Sequence, residues 1–166
     1  MSIKLHILSV VVIVFFSSHS IGQENRHTKN VVYYELGGIS FAPFSINYER
    51  LIGEGERVQL SIGIGAAVTN YISKPSTIEI KGYQLLFPLQ ANLLIGKKNH
   101  KIEIGYGMPF AIEKEEFGIS SGLYVLRLGY RYQTYQKGLF FRASVNPAIL
   151  AIVPAIMGSL AIGYNF

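Results

Sequence analysis

The chain reads as an all-β protein: an eight-stranded antiparallel up-and-down transmembrane β-barrel that follows an N-terminal signal peptide. Three observations carry that expectation. Segments of strand length alternate between apolar residues and polar or small ones, and past the leader no segment of helical length shows a 3.6-residue repeat. The connections between these segments alternate between short and long. The last segment, Leu160–Phe166, is an alternating strand that stops on an aromatic residue, with Leu160, Ile162, Tyr164 and Phe166 on one face and Ala161, Gly163 and Asn165 on the other.

At 166 residues the chain suits a single domain. Seventeen glycines, eleven tyrosines and ten phenylalanines favour strands, tight turns and interfacial rings over a helical core. Residues 1–22 have the form of a secretory signal. Lys4 provides the positive start, Ile7–Phe16 is an apolar run broken only by Ser9, and Ser17, Ser18, Ser20 and Gly22 are the small residues of a cleavage zone. Cleavage is expected after Gly22, with Ser20 the alternative. A run of about ten apolar residues is half of what a spanning helix needs. Residues 23–30 are polar and expected to be a flexible segment, and residues 31–166 to be the barrel. The absence of cysteine excludes disulfides, thiolate zinc sites and lipid attachment at an N-terminal cysteine. Without the leader the formal charge falls from +5 to +4, since Lys4 is its one charge. So diffuse an excess suits anionic lipopolysaccharide and points to no nucleic-acid partner.

The eight strands follow in order. The first, about Val32–Gly38, sets Val32, Tyr34 and Leu36 against Glu35 and Gly37. The second, Phe44–Ile52, alternates Phe44, Ile46 and Tyr48 with Ser45, Asn47 and Glu49, and ends at the turn Gly53–Glu56. The third, Arg57–Thr69, is the longest and alternates aliphatics with Gln59, Ser61, Gly63 and Gly65; a loop is expected over 70–82. The fourth, Tyr83–Ile95, contains Pro88, which cannot donate to a ladder and predicts a bulge or local break. After the turn Gly96–Asn99, the fifth strand is His100–Met108, followed by a loop over 109–121 with the charged run Glu113–Glu116. The sixth, Gly122–Tyr135, turns at Gln136–Gly138 into the seventh, Leu139–Asn146. Residues 147–154, with Pro147 and Pro154, form the last loop before the eighth strand, Ala155–Phe166. Short turns on one rim and longer loops on the other are the pattern of an outer-membrane barrel, and the even strand number puts both termini on the short-turn, periplasmic rim. The connection Ile39–Pro43 is the exception, short where a long loop is expected.

One face of nearly every strand is apolar and uncharged, and its aromatics gather toward strand ends: Tyr48, Tyr132, Tyr164 and Phe166 at one rim, Tyr83, Tyr106 and Tyr124 toward the other. The opposite face carries the polar residues and most strand glycines. An eight-stranded barrel has room inside for little beyond side chains, so the small and polar face belongs inside and the apolar face outside. Three acids, Glu35, Glu49 and Glu103, and three arginines, Arg127, Arg131 and Arg142, then face the interior. An ion-pair and hydrogen-bond network filling the lumen is expected, because charges withdrawn from bulk water need partners and Arg offers a fork of donors to carboxylates.

Little else in the chain suggests chemistry. His27 and His100 are far apart and make a poor metal site, and no serine has a histidine companion that would form a catalytic set. Gly63-Ile64-Gly65 and Gly105-Tyr106-Gly107 lie inside strands with no following helix, which rules out a phosphate loop. No catalytic residue, metal or cofactor is expected.

Several stretches carry a family likeness: Tyr34-Glu35-Leu36-Gly37-Gly38, Asn47-Tyr48-Glu49-Arg50, Gly129-Tyr130-Arg131-Tyr132-Gln133, Lys137-Gly138-Leu139-Phe140-Phe141-Arg142-Ala143 and the ending Gly163-Tyr164-Asn165-Phe166. Together they resemble small outer-membrane β-barrel proteins of the Bacteroidetes type, within the OmpA/OmpX-like superfamily. The resemblance implies the outer membrane of a Gram-negative bacterium, no catalytic activity, and assembly machinery that reads the C-terminal aromatic strand, with Tyr164 and Phe166 as its signal. The chain ends with the barrel, so no peptidoglycan-binding domain is expected after it. The leading expectation is a monomeric integral membrane protein with a structural or surface-interaction role and a largely filled lumen. A narrow pore for small solutes, a lipid-modifying outer-membrane enzyme and a soluble lipocalin-like carrier are the alternatives.

Overall fold

The structure, a computed structural model, describes residues 28–55, 57–73, 80–112, 119–120, 124–150 and 153–166. The expected signal peptide, residues 23–27 and the acidic run Glu113–Glu116 lie outside the described residues. Eight long strands alternate apolar and polar residues: β1 (Asn30–Gly37), β2 (Phe44–Glu54), β3 (Val58–Ser73), β4 (Ile80–Lys97), β5 (His100–Ile112), β6 (Tyr124–Gln133), β7 (Gly138–Leu150) and β8 (Val153–Asn165). A two-residue strand, Ile119–Ser120, pairs with the end of β5. Each long strand pairs antiparallel with its neighbour in sequence, and β1 pairs with β8 through Val32↔Tyr164, Tyr34↔Ile162 and Leu36↔Leu160. The ring is therefore closed and leaves no long edge unpaired.

Closure sorts the side chains into two environments. Val32, Ile46, Ile62, Ile102, Leu126, Leu160 and their same-face neighbours are exposed on the outside, Ile102 at 63% and Ile156 at 77%. The residues between them point inward and most are buried, whether polar or not. Arg50, just past Tyr48, extends the outer face to the rim that carries the chain ends, where it and Tyr48 both donate to Asn30 Oδ1, at 3.3 and 2.8 Å.

That terminal rim has the short turns. Its ends are tied by backbone hydrogen bonds between Asn30 and Phe166 in both directions, at 3.2 and 2.9 Å, and from Leu51 N to Lys29 O at 2.7 Å. Thr28 and Lys29, within the segment expected to be flexible, are thus part of the rim. Asn165 is fully buried there and donates from Nδ2 to Thr134 O at 2.8 Å and to Gln136 O at 2.7 Å.

The far rim differs from expectation in strand length. Loops were expected over 70–82, 109–121 and 147–154, but β3 continues to Ser73, β4 begins at Ile80, β5 reaches Ile112, and residues 151–152 alone separate β7 from β8. Prolines and scattered polar residues had suggested breaks that a ring paired on both sides tolerates. Pro147 sits opposite Ile156 in an unbroken β7–β8 register, and its missing N–H coincides with a gap in the β6–β7 ladder between Val125↔Ala148 and Leu128↔Val145. Pro88 behaves in the same way. Pairing with β3 lapses between Ile64↔Leu89 and Ala67↔Leu86 without a register change, while Pro88 faces Pro109 on β5. The break is present and the bulge is not; a register shift occurs instead on β2, between Leu51 and Gly53.

The β1–β8 seam makes a sharp prediction, because the native chain has no cysteine. Tyr34→Cys with Ile162→Cys, directly opposed in the register, forms a disulfide on mild oxidation, read as a mobility shift on non-reducing gels. The slipped pair Tyr34→Cys with Leu160→Cys forms it several-fold less efficiently.

Candidate functional site: the barrel interior

The period-2 alternation that turns aliphatics outward places Glu35 on β1, Glu49 on β2, Glu103 on β5, Arg127 and Arg131 on β6 and Arg142 on β7 inside the ring, none more than 2% exposed. The structure brings all six into one network. Arg127 donates from Nη2 to Glu35 Oε1 at 2.6 Å, from Nη1 to Gln90 Oε1 at 2.7 Å and from Nε to Asn146 Oδ1 at 3.1 Å. Arg142 donates to Glu103 Oε2 at 2.9 Å, to Glu49 Oε2 at 2.6 Å and to the Tyr33 hydroxyl at 2.9 Å. Arg131 is paired with Glu49 Oε1 and donates to Gln133 Oε1 at 2.7 and 3.0 Å. Glu103 sits between all three cations, with Arg127 at 3.8 Å and Arg131 at 3.9 Å completing its surroundings.

Two aromatic residues that the sequence reading did not single out form the wall against which the guanidinium groups stack. Tyr33 and Phe140 face inward with ring centroids 4.9 Å apart. The Arg142 guanidinium lies 4.7 Å from the Tyr33 centroid and 5.2 Å from that of Phe140, and Arg131 lies 4.8 Å from Phe140. The ring faces supply negative quadrupole where no oxygen is in reach. Tyr33 also accepts from Gln90, which joins the two halves of the network. Lys101, also missed, is an inward cation, 8% exposed, two residues before Glu103. Strand alternation from Glu103 was the available signal for it, as alternation from Glu35 was for Tyr33.

Near the far rim the interior becomes apolar. The β1–β2 connection, residues 38–43, folds back into the barrel mouth and buries Ile39, Ser40 and Ala42. Ile39 packs with Val125 and Ala148, and Phe41 covers them. Left-handed backbone at Gly37 (φ 71°), Gly38 (φ 89°) and Phe41 (φ 52°) makes the reversal possible, and the bonds Gly37 N to Pro43 O and Phe41 N to Gly38 O, both 3.1 Å, hold it. Gly107 provides the notch: a Cβ there would stand 2.7 Å from two Ile39 side-chain carbons and 2.8 Å from the Leu89 carbonyl oxygen.

Of the other sequence candidates, Tyr164 and Phe166 are exposed on the outer face at the terminal rim. His100 stands on the same rim, with Nδ1 2.5 Å from the Tyr130 hydroxyl and its ring edge-on to Tyr132. The arrangement gives the interior a way to hold charge and shape. It brings no serine or carboxylate to a histidine among the described residues.

In overall fold the chain is similar to the N-terminal β-barrel domain of Pseudomonas aeruginosa OprF, with a TM-score of 0.51 and 16% identity, over 85% of this chain and 100% of that one. What the two share at that identity is the fold, a closed eight-stranded antiparallel barrel. No protein-family model matches the chain, and no curated protein sequence matches it.

Three substitutions probe the interior. Arg142→Met removes a donor from both Glu49 and Glu103 in a buried site and costs about 3–5 kcal/mol of stability in urea unfolding. Combined with Glu49→Gln, it costs less than the sum of the single changes, because the two groups share one network. Gly107→Val forces Ile39 from its notch and costs about 1–3 kcal/mol, with residues 38–43 becoming sensitive to protease.

Proposed function

We propose that this protein is an integral outer-membrane β-barrel of a Gram-negative bacterium, with a structural or surface-interaction role, a closed lumen and no catalytic activity. The observation that carries the reading is the inverted distribution of polarity. Arg127, Arg131, Arg142, Glu49 and Glu103 are fully buried inside the ring while its outer face between the rims is aliphatic and aromatic. An exterior of that kind is stable against hydrocarbon, and a closed barrel satisfies every backbone donor and acceptor there without water. The fold shared with the OprF barrel domain supports it. Tyr48, Tyr132, Tyr164 and Phe166 at one rim and Tyr106 stacked on Tyr124 at 6.0 Å toward the other are suited to the two polar–apolar boundaries of a bilayer.

The terminal rim is the periplasmic one in this reading, and the far rim meets lipopolysaccharide and the outside. Outer-membrane assembly machinery is the partner of the last strand, with Tyr164 and Phe166 as the residues it reads. Among small barrels, the stretches Tyr34–Gly38, Asn47–Arg50 and Lys137–Ala143 support the Bacteroidetes type. The barrel works as a monomer, and its external connections are its contact surface. The filled middle and the Ile39 closure speak against the narrow pore, and among the described residues no interior serine has a histidine beside it, as a lipid-modifying site would need.

Cell fractionation tests the reading. The protein partitions with the outer membrane, migrates faster on gels when unheated than when boiled, and gives no steady single-channel conductance when purified. Release by carbonate without detergent would favour a soluble carrier, and steady conductance a pore. Deleting Phe166 lowers the outer-membrane level several-fold, measured by immunoblot of fractions.

A further inference from the structure

The charges outside the ring's interior are shared unevenly between its two rims. From Thr28 on, the sequence of the terminal rim and its turns has six cations, Lys29, Arg50, Arg57, Lys97, Lys98 and Lys137, against the acids Glu54 and Glu56. The sequence joining strands at the far rim has Lys74, Lys81 and Lys114 against Glu79, Glu113, Glu115 and Glu116. The positive excess therefore belongs to one end of the barrel, and two of its members are adjacent at the β4–β5 turn. There Lys97 pairs with His100 across Lys98 and Asn99, and His100 is in register with Tyr132 on β6. Gly96 N donates to Arg57 O at 2.9 Å, which brings a third cationic residue to the same corner. Arg57, Lys97, Lys98 and His100 are all exposed. Arg57 has Glu54 and Glu56 close to it in sequence, so the two lysines carry the charge of the corner. No ion pair joins either lysine to another of the described residues.

The outer face changes character here within one step of strand alternation. Ile95 on β4 and Ile102 on β5 are exposed apolar residues, and the next outward positions toward the rim are Lys97 and His100. Tyr130 and Tyr132 continue this edge on β6, with the Tyr130 hydroxyl 2.5 Å from His100 Nδ1 and the Tyr132 ring edge-on to the imidazole. Cations directly beyond an apolar band, with amphipathic rings at the boundary, follow the order of a phospholipid, whose phosphate stands just outside its acyl chains. We propose that this corner of the terminal rim binds the phosphate headgroup of an anionic phospholipid, with Lys97 and Lys98 as its charged contacts and His100 and Tyr130 beside them. The inference rests on the membrane reading above and adds to it the class of lipid and the residues that select it. A lysine near a lipid surface favours an anionic headgroup several-fold, and two neighbouring lysines multiply the preference.

The test inserts the full mature barrel into vesicles of equal parts phosphatidylcholine and phosphatidylglycerol with matched acyl chains, extracts it in mild detergent and counts the retained lipids by native mass spectrometry. Phosphatidylglycerol is retained about 5–30-fold over phosphatidylcholine, the range for one to two lysines near a lipid surface. Lys97→Gln with Lys98→Asn removes most of that preference; asparagine suits the left-handed backbone at position 98 (φ 54°). Lys74→Gln with Lys81→Gln, the same loss of charge at the far rim, keeps it. Equal retention of the two lipids by the wild type would overturn the proposal. So would a turn variant that keeps the full preference, or a far-rim variant that loses it equally. Should the turn variant fail to insert, salt decides on the wild type: the preference falls several-fold between about 0.05 and 0.5 M sodium chloride, and a preference indifferent to salt overturns the site. A barrel that enters neither this mixture nor phosphatidylcholine alone contradicts the membrane reading itself, whereas one that inserts without preference contradicts this proposal alone.

Discussion

The whole architecture depends on keeping six charges out of bulk water inside a ring of backbone. An isolated buried guanidinium is expensive, and a buried carboxylate no less so. Glu49 bridges Arg142 to Arg131, Glu103 lies among all three arginines, and Arg127 reaches across to Glu35. No two adjacent strands could assemble this set alone, because its members come from β1, β2, β5, β6 and β7. The network forms when the ring does, so the interior rewards closure and penalises any partly paired intermediate. Stacking on Tyr33 and Phe140 matters for the same reason: it gives the cations a favourable surface on the side where the carboxylates are absent.

Closure also explains why the barrel needs so few tight-packing devices of the kind a soluble core uses. Its inner space is filled in layers, with Asn165 and its carbonyl partners at the terminal rim, the charged network in the middle and the apolar cluster around Ile39 at the far end. The outer face contributes little packing beyond paired rings such as Tyr106 on Tyr124, and in the membrane reading proposed above it becomes stable through its surroundings. Aliphatic residues there would be a liability in water, where an exposed apolar surface of this extent drives association. Against hydrocarbon they carry no such penalty, and the backbone behind them is paired by the ladders except at the gaps beside Pro88 and Pro147. The polar middle and the apolar outside therefore answer to one requirement from opposite sides of the same sheet.

Much of this could be read in the chain. Strand number, pairing order and the inward set depend on period-2 alternation, a local property, and so Glu35, Glu49, Glu103, Arg127, Arg131 and Arg142 could be assigned to the interior residue by residue. Tyr33 and Phe140 obeyed the same alternation but were hidden by type, since an aromatic residue next to other aromatics reads as part of the apolar face. Lys101 was hidden by its place beside a turn, where a lysine is ordinarily solvated. The far-rim loop over 147–154 was overestimated because Pro147 and Pro154 look like strand breakers. Whether a proline breaks a strand depends on the neighbour that would have accepted its missing N–H, and that neighbour lies on another strand.

The sequence by itself determined the all-β class, the eight strands, their antiparallel order and the face each residue presents, because these follow from the alternation of side chains along an extended backbone. Only the tertiary structure decided which carboxylate meets which arginine, that residues 38–43 fold inward over the Gly107 notch, and that Lys101 turns inward opposite Arg131. Each of those outcomes depends on the stagger between strands when the sheet closes on itself. That stagger is set by all eight pairings together and is written in no single segment of the chain.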